Sequence, residues 1–244
     1  MPTSRPSPRG PSRVALSLTA FGLLAATLWL ISRVFLGLDF SDEMQYYGEI
    51  ASLTRSGKFF QIDLFLQQLG YVFVLPFFKV HALLFPDQSY LVLFGRLLLL
   101  GGYVAVGGLV WRVSARLGGF SLAQRLAGLA AFVGSVPFLI FALSYNSMAY
   151  LLVVAIVAVA LPRDRNPFWR YAATIAALLA ALTFVYPPAG LALILLAGVE
   201  AHGRHDWRGA LQLLSFTALD GLLILGVMIG LHGLDFGRDL LVGI

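Results

Sequence analysis

The chain has 244 residues, of which 59% are hydrophobic and only 12% charged, and its mean hydropathy is +0.85. Soluble domains carry about 45–50% apolar and about 25% charged residues, so a water-facing globular enzyme is excluded. The net charge of +5 comes from 17 Lys/Arg against 12 Asp/Glu. Most of the cations sit between apolar segments, which points to orientation in a bilayer rather than to a nucleic-acid partner. The absence of cysteine removes disulfides, thiolate metal sites and thiol catalysis.

In chain order, residues 1–13 form a Pro/Ser/Arg-rich stretch with the composition of a disordered tail. The apolar run from Val14 to Ile31 is long for a signal peptide and lacks a small-x-small cleavage site, so it reads as an uncleaved first helix. Further apolar spans are expected at about 90–111, 126–143, 146–161, 171–186, 187–200 and 209–232. Asn146 and Ser147 mark a turn between the third and fourth spans, and Tyr186-Pro187-Pro188 a turn between the fifth and sixth. The expected fold is all-α: a polytopic membrane bundle of about seven transmembrane helices, with interfacial helices in the first extracytoplasmic loop. Residues 14–244 read as one membrane domain, and the loop covers 37–89.

Segment 64–85 decides the topology. It is long enough to cross but contains Gln67, Gln68, Pro76, Lys79 and His81. If it crosses, Arg112, Arg116 and Arg125 fall on the side opposite the basic N-terminus. If it lies in the interface or re-enters, Arg5, Arg9, Arg13, Arg112, Arg116, Arg125, Arg163, Arg165, Arg170, Arg204 and Arg208 share one side. That side is then cytoplasmic by the positive-inside rule, and the N-terminus lies in the cytoplasm. The outer side collects Asp39, Asp42, Glu43, Glu49, Asp63, Asp87, Asp235 and Asp239, most of them in loop 37–89. Loops of that length usually carry function.

Within this loop, Asp42-Glu43-Met44-Gln45-Tyr46 opens a helix expected over about 43–56, capped by Ser41 or Asp42 and stopped at Gly57. Tyr46, Ile50 and Leu53 fall near one face, as in a helix lying on the membrane surface. A carboxylate pair at this helix start can hold a hydroxyl nucleophile and accept its proton; capping and solvation are the plainer alternative. Arg33, Arg55, Lys58, Lys79 and Arg96 lie on the outer side, against the charge bias. Arg33 and Arg96, near helix ends, can meet a lipid phosphate at headgroup depth or snorkel to the interface. Asp220 falls in mid-span, where a carboxylate marks a functional site or is instead buried and protonated, or hydrogen-bonded to Ser215 or Thr217. His202 and His205 lie in a basic loop without an accompanying ligand set.

A first helix, an extracytoplasmic Asp-Glu-x-x-Tyr, an amphipathic stretch and a helix opening with Arg together resemble the GT-C-type membrane glycosyltransferases. These include the protein O-mannosyltransferases and the aminoarabinose transferases. The stretches that carry the likeness are SDEMQYYGEIASLTRSGKFF (41–60), QQLGYVFVLPFFK (67–79), GRLLLLGGYVAVGGLVWRVSARLGG (95–119), SYNSMAYLL (144–152) and TFVYPPAGLALILLAG (183–198). The resemblance implies inverting transfer of a sugar from a polyprenyl-phosphate carrier to an acceptor outside the cytoplasm, at the bacterial inner membrane. It implies Asp42 as general base and Glu43 as a positioning group, or as a metal ligand in members that use a divalent ion; no other cofactor is implied. Tyr46, Arg33, Lys79, Arg96, Tyr145, Asn146 and Tyr186 are the expected substrate-binding residues. Asn146 and Tyr186 stand where many relatives have an acid and a Lys. Relatives continue with more helices, so the likeness also implies a truncated frame, half of a split enzyme completed by a second subunit, or a retained lipid-binding module. The rival expectation is a non-catalytic lipid-carrier transporter or assembly protein.

Overall fold

The structure, a computed structural model, describes residues 12–36, 42–57, 66–137, 141–161, 168–204 and 206–232. Among them every regular element is a helix. Helix α1 (Arg13–Phe35) starts where the Ser12 hydroxyl accepts from the Ala15 N–H at 3.2 Å, and ends where Leu36 turns extended. Helix α2 (Asp42–Ser56) stops at Gly57, whose φ of +66° suits a residue without Cβ. A 3₁₀ helix (Leu66–Phe73) and α3 (Leu75–Leu84) follow, then α4 (Leu91–Leu117) and α5 (Leu122–Gly134). The chain finishes with α6 (Tyr145–Ala160), α7 (Phe168–Val185), α8 (Pro187–Arg204) and α9 (Trp207–His232).

Among the described residues, three helices are long and apolar enough to cross a membrane: α1, α4 and the Trp207–Gly230 part of α9. Their surfaces agree with that use. Val14, Leu18 and Phe21 on α1, and Leu211, Leu222 and Leu223 on α9, are exposed apolar side chains with no place in water. At 13 and 16 residues, α5 and α6 extend only about 20 Å and 24 Å, short of the roughly 30 Å hydrocarbon core.

Helix α1 packs on α5 and α4, and α7 lies among α6, α8 and α9. In the core, the Tyr103 ring lies 5.4 Å from Phe132 and 6.2 Å from Tyr150. The Tyr103 hydroxyl donates to the Ser135 carbonyl and that of Tyr150 to the Phe132 carbonyl, both at 3.1 Å. Aromatic area is thereby buried without orphaning its polar tips. The 3₁₀ helix reaches α7 through Gly70, where a Cβ would come within 3.0 Å of the Val185 Cα.

Several expectations are adjusted by this fold. Segment 64–85, expected to lie in the interface or re-enter rather than cross, is not one continuous helix over its described residues 66–85: it breaks at Val74 into the 3₁₀ helix and α3, with Pro76 in the first turn of α3, where a missing N–H costs nothing. The first helix runs to Phe35, so Arg33 is helical. The third span, expected at 126–143, is helix 122–134, because Ser121 and Gln124 form a capping box that starts it early. Asn146 and Ser147 are not in a turn; Ser144 and Ser147 cap each other reciprocally, which places both residues in the first turn of α6. The turn expected at Tyr186-Pro187-Pro188 is the single residue Tyr186 between α7 and α8, and both prolines lie in the first turn of α8. Helix α2 does not lay Ile50 and Leu53 on a membrane surface; both are buried in protein. The Thr217 hydroxyl donates to the Leu213 carbonyl rather than to Asp220, whose half-exposed carboxylate has no hydrogen bond among the described residues. The tail 1–11, the side chain of His202, and His205 lie outside the described residues.

The α2–α4 contact depends on Gly95, where a Cβ would collide with the Tyr47 ring. Gly95→Ala is expected to lower stability by about 1–3 kcal/mol through overpacking. Gly101→Ala on the same helix meets nothing within 4 Å and should be neutral or slightly stabilising. Thermal unfolding in detergent compares the two; equal melting temperatures would mean that α2 does not dock on Gly95.

Candidate functional site

Helix α2 presents Glu43, Tyr47 and Ile50 at helical spacing, and all three are buried. Glu43 is 2% exposed and Arg96, in the second turn of α4, 6%. The two form a bidentate pair: Arg96 Nε donates to Glu43 Oε1 at 2.7 Å and Nη2 donates to Oε2 at 2.6 Å. Arg96 Nη1 donates to the Val34 carbonyl at 3.2 Å. One guanidinium therefore fastens the end of α1, the start of α2 and the start of α4.

A line of tyrosines begins on the same helix. Tyr46 meets Tyr145 edge-on at 6.1 Å between centroids, and Tyr145 stacks on Tyr186 at 5.6 Å. These rings come from α2, from the first residue of α6 and from the α7–α8 turn, so the line assembles residues 140 positions apart. Tyr71 of the 3₁₀ helix is buried behind it and hydrogen-bonds to Glu49 of α2. Burial, and then the Glu49 charge, hold the Tyr71 phenol well above its ordinary pKa. Burial and the nearby Glu43 charge do the same for Tyr47. Both phenols remain neutral across the physiological range.

Of the expected site residues, the structure gathers Glu43, Arg96, Tyr46, Tyr145 and Tyr186 at one end of the helices. Asn146 adjoins them, half-buried in the first turn of α6, and Arg33 is half-buried beside Val34. Asp42 is the first residue of α2, one position before the clamped Glu43; its side chain lies outside the described residues. Lys79 is exposed on α3, with no hydrogen bond or ion pair to this group among the described residues. His81 serves the α3–α4 turn, buried between Phe85 and Phe94 with Nε2 3.0 Å from the Ser89 carbonyl oxygen. Sequence reasoning missed Tyr47, Tyr71 and the Val34 carbonyl. Tyr47 was legible as the i+4 neighbour of Glu43; the other two depend on contacts between distant segments.

No group of three His, Asp or Glu among the described residues could hold a metal. Both Glu43 oxygens are engaged by Arg96, which fits Glu43 for positioning rather than for metal binding.

Removing one member of a buried pair costs about 3–5 kcal/mol, whereas replacing both with apolar residues is often neutral. Arg96→Met and Glu43→Leu are each expected to destabilise by that amount, and the double variant by much less than their sum. Unfolding in detergent closes the cycle; additive losses would mean that the pair is not coupled. No family model, curated protein or solved structure matches the chain, so the reading of this site rests on its own geometry and chemistry.

Proposed function

We propose that the chain is a GT-C-like membrane glycosyltransferase that takes a sugar from a polyprenyl-phosphate carrier and transfers it on the extracytoplasmic side. The observation that carries this reading is the Glu43–Arg96 clamp, which fixes the start of α2, where Asp42 stands, beside the line Tyr46–Tyr145–Tyr186. Tyrosine faces suit the apolar side of a sugar ring, and their hydroxyls suit its polar rim. In this reading the acceptor hydroxyl attacks the anomeric carbon while Asp42 takes its proton. The bond from that carbon to the phosphate oxygen breaks, and the phosphate leaves with both electrons. A phosphate leaving group needs charge stabilisation more than a proton, and Arg33, half-buried near the end of α1, is the candidate for it. Arg96 acts through Glu43 and is a positioning residue.

Seven membrane crossings, α1 and α4 to α9, belong to the same proposal, with the N-terminus and the α4–α5 turn in the cytoplasm and the bilayer thinned locally to match the short α5 and α6. The alternation of helix ends supports it: the end of α1 meets the start of α4, and the starts of α6 and α8 meet through Tyr145 and Tyr186. Cysteines placed at Ser7, Phe120 and Ser56 read the orientation with an impermeant thiol reagent in intact cells. Only Ser56→Cys should label; labelling of Phe120→Cys alone would reverse the topology.

Purified protein in nanodiscs, offered radiolabelled polyprenyl-phosphate monosaccharides, tests the activity. Asp42→Asn should lower turnover by about 10²–10⁴-fold while gel filtration remains unchanged. Unaltered turnover in Asp42→Asn removes the general base. Donor binding without turnover in wild type favours the non-catalytic lipid-carrier protein instead.

A further inference from the structure

At the end of α4 opposite Arg96, helices α4, α5 and α6 spread apart around an open cavity of about 350 Å³, within the usual range of ligand sites, roughly 300–1,000 Å³. Val110 and Leu117 of α4, Gly128 and Phe132 of α5, and Val154 and Leu161 of α6 line it. Its few polar groups are already satisfied: the Ser114 hydroxyl donates to the Trp111 carbonyl, and that of Tyr150 to the Phe132 carbonyl. The walls therefore offer nothing to a polar ligand and suit a hydrocarbon chain. Gly128 leaves the wall open, since a Cβ there meets nothing within 4 Å.

One turn from Gly128 stands Arg125, its guanidinium 3.9 Å above the ring of Trp111, next to the lining residue Val110. Arg125 Nε is buried and has no hydrogen-bond partner. Stacking orients the guanidinium plane but leaves its donors unused, and a planar fork of this kind matches a phosphate. Arg112 and Arg116 make the surrounding end of α4 basic and exposed.

We propose that this cavity is a binding site for an anionic phospholipid of the leaflet at that end, with one acyl chain between α4, α5 and α6 and the headgroup phosphate on Arg125. The cavity is separate from the Glu43–Arg96 site, and its occupant is chosen by charge complementarity: an apolar slot with an unspent cation at its side. The full chain in nanodiscs of mixed phosphatidylglycerol and phosphatidylcholine, followed by native mass spectrometry of the released protein, reads the occupant. One phosphatidylglycerol should be retained in preference to phosphatidylcholine. Arg125→Gln should lower that retention about ten- to a hundredfold, the loss expected for one charge-assisted contact, and Arg125→Lys should restore part of it. Gly128→Leu, which fills the slot, should abolish retention of either lipid. Inorganic phosphate should not compete, because it lacks the chain. Equal retention of both lipids by wild type, unchanged retention in Arg125→Gln and Gly128→Leu, or a dimer dispersed by Gly128→Leu would each overturn the assignment.

Discussion

Two full charges buried between α2 and α4 set the terms for one end of this molecule. Removing a carboxylate and a guanidinium from water costs several kcal/mol per ion after relaxation, and only a paired, fully bonded geometry offsets it. Glu43 and Arg96 meet that requirement with two parallel bonds, and the third guanidinium nitrogen, Nη1, donates to the Val34 carbonyl. The helix starts cannot drift without exposing a bare charge to an apolar interior. Tyr47 fits over Gly95, and Tyr46 meets Tyr145, because the pair holds α2 in that register.

The opposite end of α4 follows a different logic. Arg112 and Arg116 are exposed there, as expected of cations at a membrane face, and the α4–α5 turn is only four residues long. Arg125 is the exception, laid on Trp111 with a buried donor unspent. One helix thus carries a neutralised, structural arginine at one end and meets, at the other, an arginine still able to hold an anion.

The tyrosines are used in two ways. Tyr103 and Tyr150 spend their hydroxyls on the Ser135 and Phe132 carbonyls at the end of α5, which closes the interior. Tyr46, Tyr145 and Tyr186 form a line of rings across three segments at the clamped end. A ring line beside a fixed carboxylate-bearing helix start is the arrangement on which the proposed recognition of a sugar rests. Each tyrosine brings a large contact area at a small entropic cost, since only two side-chain torsions must be fixed.

Composition and hydropathy by themselves determined that the chain is helical and apolar enough for a bilayer, because backbone groups in hydrocarbon must be satisfied within their own segment. Local chemistry also made α2 legible: Asp42-Glu43 favours its start and Gly57 its stop. The break at Val74–Pro76, which removes a span from segment 64–85, was readable from its polar residues and its proline. The start of α5 was not, since the capping box at Ser121 begins it four residues before the expected 126, whereas α6 falls within one residue of its expected 146–161. Sequence named Glu43 and Arg96 separately, one for chemistry and one for a lipid phosphate. Only the tertiary structure made them partners, because pairing 53 positions apart is decided by which helix faces meet and which charges must be neutralised once water is excluded.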